Sequence, residues 1–284
     1  MRQTTLLLCL ALALSSCNEI IDNTPPDLQT LRESRTVGNT KDLDVHLVYD
    51  VGSLDVRSMK GGELFSVNLE YDAHRTRPRF DFREGEHAML DLKLDHQSRL
   101  SNSRRTNDLT LKLNEAVPIR MLDFIAGVSD AHMDLSGLQI GQFQLKGGVG
   151  KIEVAFDRPV EEPMSRLEVQ SGVGNLTIRG LGNVRVQNLK VDGGVGRTDL
   201  DFTGDLKDSR TDTEINVGVG QVRLLLPREA GVTIEAEGSF LSNISAPSFE
   251  KNGKTYTHKG PDGSSTRIHI RVRSGVGGVT VELI

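Results

Sequence analysis

One short phrase is written five times along this chain: an alternating apolar run, a Gly-Val-Gly corner and a second alternating run. Gln144 to Phe156 reads QLKGGVGKIEVAF, Glu168 to Gly180 reads EVQSGVGNLTIRG, and Lys190 to Phe202 reads KVDGGVGRTDLDF. The phrase returns as EINVGVGQVRLLL from Glu214 to Leu226 and as RVRSGVGGVTVEL from Arg271 to Leu283. Looser copies begin at Leu43, with its turn at Val51-Gly52-Ser53, and at Leu122, with its turn at Gly127-Val128-Ser129. The last corner residues, 129, 150, 174, 196 and 220, are separated by 21, 24, 22 and 24 positions. Two strand-like runs in a period of twenty-odd residues are the pattern of a coil in a solenoid.

The apolar residues fix the register. Ile152 and Val154, Leu176 and Ile178, Leu200 and Phe202, Val222 and Leu224, and Val279 and Val281 occupy matching alternate offsets, so stacked copies present one continuous apolar face. Phe143 and Leu145, Leu167 and Val169, Leu189 and Val191, and Ile268, Ile270 and Val272 do the same in the first runs. One coil cannot bury such a face alone. Neighbours about 4.8 Å away can, and they also satisfy each other's backbone groups. The expectation is an all-β fold, a single-stranded right-handed parallel β-helix of roughly ten coils. The glycines serve the tight corner, and the valine between them is expected to pack inward. Outward offsets are expected to form charge ladders: Glu168, Lys190 and Glu214; Asp199 and Arg223; Arg179 and Asp201.

Composition supports many small repeated units rather than a core of large rings, with 29 glycines, 4% aromatics and no Trp. The net charge of -5, with both signs interspersed, argues against a nucleic acid partner.

The first residues, MRQTTLLLCLALALSSC, have the layout of an export signal, an early Arg2 followed by an apolar stretch too short to span a bilayer. Leu14-Ser15-Ser16-Cys17 resembles a bacterial lipobox, which implies a signal peptide over 1–16 and lipidation of Cys17. Cys9 would leave with the signal, so the mature chain has no second thiol for a disulfide. Residues 17–40 are assigned to the lipidated cysteine and a polar tether, stiffened by Pro25-Pro26. Residues 41–142 form an N-terminal β region, and 143–284 the regular repeats. Between 61 and 118 the alternation is compatible with stacked coils or with hairpins. Residues 237–263, polar and holding Pro247 and Pro261, are expected to project as a loop.

Leu109 to Leu145, followed by GGVGKIEVAF, resembles the toast-rack N-terminal domain. The later copies, including VGVGQVRLLLPREAGVTIEAEG, resemble the C-terminal β domain of LiaF-like envelope-stress proteins and related adhesins. The resemblance implies an architecture and transfers no catalytic residue. With the lipobox it implies a lipid-anchored protein of the bacterial cell envelope, the outer membrane being favoured by Asn18, with an envelope protein or cell-wall glycan as partner.

Catalytic and metal motifs are weak. Gly147 to Ile152 lacks the first glycine and the hydroxyl of a phosphate loop and runs into a strand. Gly193 to Asp199 places its aspartate one position late for a calcium repeat. No pair of histidines has ligand spacing, and His132 is expected to form a solvated pair with Glu153. The expectation is therefore a protein with no catalytic, cofactor or metal residues. The competing expectation is a polysaccharide-acting enzyme built on Asp192, Asp199 and Asp201. A third is end-to-end pairing of copies, because the chain ends at Ile284 directly after a strand.

Overall fold

The computed structural model describes residues 25–96, 107–238, 242–262 and 264–284. The export signal and Cys17 lie outside the described residues. The described chain is all strand and turn, in one continuous sheet of sixteen strands. These are β1 (Leu28–Thr36), β2 (Asp42–Met59), β3 (Glu63–Asp72), β4 (Thr76–Arg83), β5 (His87–His96), β6 (Asn107–Asn114), β7 (Ile119–Asp134) and β8 (Ile140–Ala155). They continue as β9 (Arg166–Arg179), β10 (Asn188–Asp201), β11 (Arg210–Leu226), β12 (Gly231–Gly238), β13 (Ser242–Ser245), β14 (Glu250–Asn252), β15 (Thr255–His258) and β16 (Arg267–Leu283).

Each Gly-Val-Gly phrase is one long strand bent at its middle. Such strands stack in parallel from β2 through β7, β8, β9, β10 and β11 to β16, with every corner on its neighbour: Val128 on Val149, then Val173, Val195, Val219 and Val276. The two arms form two walls. The third wall is the turns between coils, whose amides bond to the next coil, as Phe156 N to Arg179 O at 3.0 Å and Phe202 N to Leu225 O at 2.9 Å. Inside lie the apolar residues of both arms; Leu176 and Leu200, each 1% exposed, share that interior with Phe156, Met164, Leu181 and Phe202 from the turns. Burial of such side chains contributes about 1.5–3 kcal/mol each, so an added coil stabilises its neighbours as well as itself.

Both ends depart from this rule. On the outer side of β2, β5 pairs with its first arm and β6 with its second, so together they occupy the place of one coil. β4 lies antiparallel on β5, β3 antiparallel on β6, and β1 antiparallel on β3. Residues 61–118 thus contain both arrangements that the sequence left open. The polar tether is also shorter than assigned, since Leu28–Thr36 is the outermost strand.

At the far end the chain passes over one place in the stack and later returns to fill it. β12 and β13 make a divided coil, and the last strand, β16, inserts between that coil and β11, parallel to both. The described part of 237–263 therefore does not project as a loop: β13 pairs with β16, and β14 and β15 extend the sheet beyond β12. The last strand, β16, therefore has neighbours on both sides. The exposed outer strand β1 carries Arg32, Glu33 and Arg35, charges that discourage edge pairing.

Candidate interaction surface

The corner is where the sequence places its most restrictive requirement. Gly150, Gly174, Gly196, Gly220 and Gly277, each directly after the corner valine, have φ between 136° and 149°. A Cβ on any of them would overlap a backbone carbonyl oxygen of the preceding coil. Gly148, Gly172, Gly194, Gly218 and Gly275, directly before the valine, face the carbonyl of the corresponding glycine one coil earlier in the same way. Two glycine columns therefore let successive corners lie in contact, and between them stands a column of valines.

Those valines point outward. Val128, Val149, Val173, Val195, Val219 and Val276 are 46–53% exposed, a continuous apolar ridge on the outside of the bend. The inward expectation fails for a reason visible in the spacing. Leu145 to Ile152, Val169 to Leu176, Ile215 to Val222 and Val272 to Val279 are each seven positions apart, although all eight residues are buried. Strict alternation keeps one face on even separations, so an odd separation means that the strand changes phase at its corner. The residue at the phase change is left on the convex side.

Beside the ridge, on the first-arm side, lies an open groove of about 790 Å³ crossing β9, β10, β11 and β16. Its floor is Gly194, Gly218 and Gly275, and its rim carries Asp192, Asn216 and Arg273, with Glu237 at the far end. Arg273 is held by Glu237 at 2.6 Å and Glu214 at 3.1 Å. Asn216 Nδ2 donates to Asp192 at 2.8 Å, while Asn216 Oδ1 is buried without a hydrogen-bond partner.

The outward columns keep their expected register, with Glu168, Lys190 and Glu214 on neighbouring strands and Asp199 beside Arg223. Of the five ion pairs that these column residues make, however, three run along a strand. Arg166 holds Glu168 at 2.7 Å and Arg273 holds Glu214, so Lys190 turns to Asp192 at 3.5 Å. Arg197 holds Asp199 at 2.8 Å, and Arg223 pairs with Glu282 at 2.8 Å instead. These pairs are exposed, and each contributes about 0–1 kcal/mol.

The three aspartates of the enzyme reading do not converge. Asp192 precedes the β10 corner and Asp199 and Asp201 follow it, on the other arm. Each is engaged: Asp192 by Lys190 and Asn216, Asp199 by Arg197, and Asp201 by the Thr203 amide at 2.8 Å. His132 lies 3.6 Å from Glu153, as expected. The hydrogen bond from Lys151, assisted by the charges of Lys151, His132 and Arg179, outweighs desolvation and holds the Glu153 carboxyl below its usual range. Among the described residues, no three His, Cys, Asp or Glu side chains are grouped so as to hold a metal ion. No described helix is long and apolar enough to cross a membrane.

The profile of the N-terminal domain of toast_rack, DUF2154, matches residues 22–179 and again 161–225. The chain belongs to the toast-rack family. Among solved structures, this toast-rack chain is similar to a putative cell adhesion protein from Clostridium sporogenes, with 18% identity, 90% of this chain and 100% of that chain covered, and a TM-score of 0.46. A putative adhesin from Bacteroides fragilis shares 12% identity, with 89% and 97% covered and a TM-score of 0.40. A putative adhesin from Parabacteroides merdae shares 10%, with 90% and 96% covered and a TM-score of 0.39. No curated protein matches the toast-rack chain significantly in sequence.

Proposed function

We propose that this toast-rack chain is a non-catalytic, adhesin-like protein of the bacterial cell envelope, held on the outer membrane by lipid on Cys17, that binds an extended envelope partner along its outer walls. The observation that carries the reading is the coil-by-coil repetition of the outward columns. From β8 to β11 the position four after the valine is Glu153, Thr177, Asp199 and Arg223, one polar side chain per coil. A surface that repeats at about 4.8 Å gives many weak, equivalent contacts to a long partner and no single point for chemistry. A second envelope protein or a cell-wall glycan has that form. The winding is taken as right-handed, the hand that parallel crossovers favour.

Photocrosslinking residues at Thr177 and at Arg179, introduced into the full chain in its native cell, test this. The same envelope protein or glycan captured from both positions supports the reading. Capture of nothing from either, or reproducible cleavage of a cell-wall polysaccharide by the purified chain, overturns it. The anchor is tested separately by fatty-acid labelling, which Cys17→Ser should abolish.

A further inference from the structure

The proposed function leaves the valine ridge and its groove unused, and the two are made for each other. The ridge is convex and apolar. The groove is a depression of glycine backbone along the same four coils, immediately before Val195, Val219 and Val276 in each strand. We propose that two copies of this chain pair side by side about a two-fold axis parallel to the solenoid, each laying its ridge in the other's groove.

The symmetry follows from geometry. A two-fold pairing needs a self-complementary patch. If the axis ran across the coils, the copies would be antiparallel, with ridge on ridge and groove on groove, and the grooves would be left as voids. With the axis along the solenoid, left and right are exchanged, so ridge meets groove and every coil faces its own counterpart. The 4.8 Å repeat then matches at all levels without adjustment. This arrangement also puts both N-termini at one end, as two chains anchored in one membrane require; that clause alone draws on the proposed function.

The rims agree with this orientation. The residue three before each valine faces the residue two after it in the other copy: Gln170 with Asn175, Asp192 with Arg197, and Asn216 with Gln221. That is one opposite-charge pair between two amide pairs. One coil further, at β8, the same rule sets Lys146 against Lys151, so repulsion limits the contact to the coils that have the groove. Four coils, with both ridge and groove covered, bury on the order of 1,000 Å² in total, the lower limit for a specific interface. An interface of that size lies at the weak, reversible end of specific pairings.

Sedimentation velocity of the full chain in mild detergent, at concentrations up to about 1 mM, reads the equilibrium, with circular dichroism confirming that each variant is folded. A reversible monomer–dimer equilibrium is expected. Val195→Asp with Val219→Asp should abolish the dimer, and Asp192→Arg should weaken it at least about tenfold. Asp192→Arg with Arg197→Asp should restore it, and Lys146→Glu should tighten it. A strict monomer throughout the range overturns the proposal, as does a dimer indifferent to the valine variants. A dimer that the valine variants break but that Asp192→Arg leaves intact overturns the parallel two-fold.

Discussion

The corner of β2 and the corners of β8 to β16 solve the same bend by different means. At the five Gly-Val-Gly corners, backbone lies on backbone, and glycine is required because nothing larger fits against the preceding carbonyl. At the β2 corner the adjoining coil is divided between β5 and β6: Gly52, at a φ of 141°, still lies against the Asn107 carbonyl, and side chains supply the rest of the contact. Tyr49 occupies the position where later coils have Gly147, Ser171 and Gly193, and its hydroxyl shares its one proton between Ser53 O at 2.9 Å and Asn107 O. Asn107 in turn donates to Val51 O at 3.0 Å and accepts from Thr76 Oγ1 at 3.0 Å. The β7 corner is intermediate. Ser129 stands where its neighbours have glycine, and the Lys151 amide turns to the Asp130 carboxylate at 3.2 Å. A solenoid can thus be periodic in backbone where it is continuous, and depends on particular side chains where it begins.

The largest expected effect tests the backbone half of that contrast. Gly196→Ala adds a Cβ that overlaps Gly174 O at a φ of 140°, and β10 is enclosed on both sides. It should cost more than about 3 kcal/mol, summing strain and clash, in chemical denaturation. Gly61→Ala has a comparable φ, 128°, with nothing within 4 Å of the new atom. It should cost only the strain, about 1–3 kcal/mol. Equal costs would mean that φ alone, and not coil contact, selects glycine.

Tyr49→Phe tests the side-chain half. The phenol is fully buried, and removing it leaves two carbonyls without their donor, so the loss should be about 1–3 kcal/mol. Burial, with a smaller contribution from the Asp108 charge, pushes the Tyr49 phenol far above its usual pKa. A raised folded pKa gives stability that is complete below the unfolded value near 10 and is lost as pH rises beyond it. Ultraviolet titration should therefore find one tyrosine of three that ionises only as the fold opens.

Acid should separate the two regions next. Burial alone would raise the Asp72 carboxyl, but the amides of His74 and Asp27 and the Arg75 guanidinium outweigh it and hold it below the usual range. Such a group contributes stability above the unfolded value of about 4 that disappears as pH falls. Hydrogen exchange near pH 3 should accordingly show β1 and β3 opening before β9, β10 and β11, whose glycine corners carry no titrating group. Asp72→Asn should flatten the pH dependence of the first region and leave the second unchanged.

How much of this was legible depends on what a periodic sequence can specify. The inward residues of both arms, the corner stacking and the register of the outward columns follow from offsets alone, because each coil sees the same neighbours. The order of the stack does not. The apolar stripe of β16 fits β11 and β12 equally well, so nothing local shows that the last strand enters between them. The antiparallel strands β3 and β4 alternate like any coil arm, and their direction is fixed by the short turn at Ala73 to Arg75, bonded by Arg75 N to Asp72 O at 3.0 Å. The ridge is legible in the seven-residue separation of the buried residues, whereas the glycines specify what can turn and not what the turn leaves outside.

The smallest expected effect bears on that ridge. Val191 and Val195 are four positions apart on β10, one fully buried and one 51% exposed. If the corner valines were part of the coil's packing, Val195→Ala would approach the cost of Val191→Ala, about 1.5–3 kcal/mol by loss of buried apolar surface. If they contribute only through contact with the valines above and below, the cost should stay under about 1 kcal/mol, the range of a cross-strand pair. Denaturation of the two variants at a concentration where the chain is monomeric decides between these. A small cost would mean that stability does not require valine at this column. Its repetition in six coils would then have to be explained by what lies against it, and the same Val195→Ala should weaken pairing between copies far more than it weakens folding.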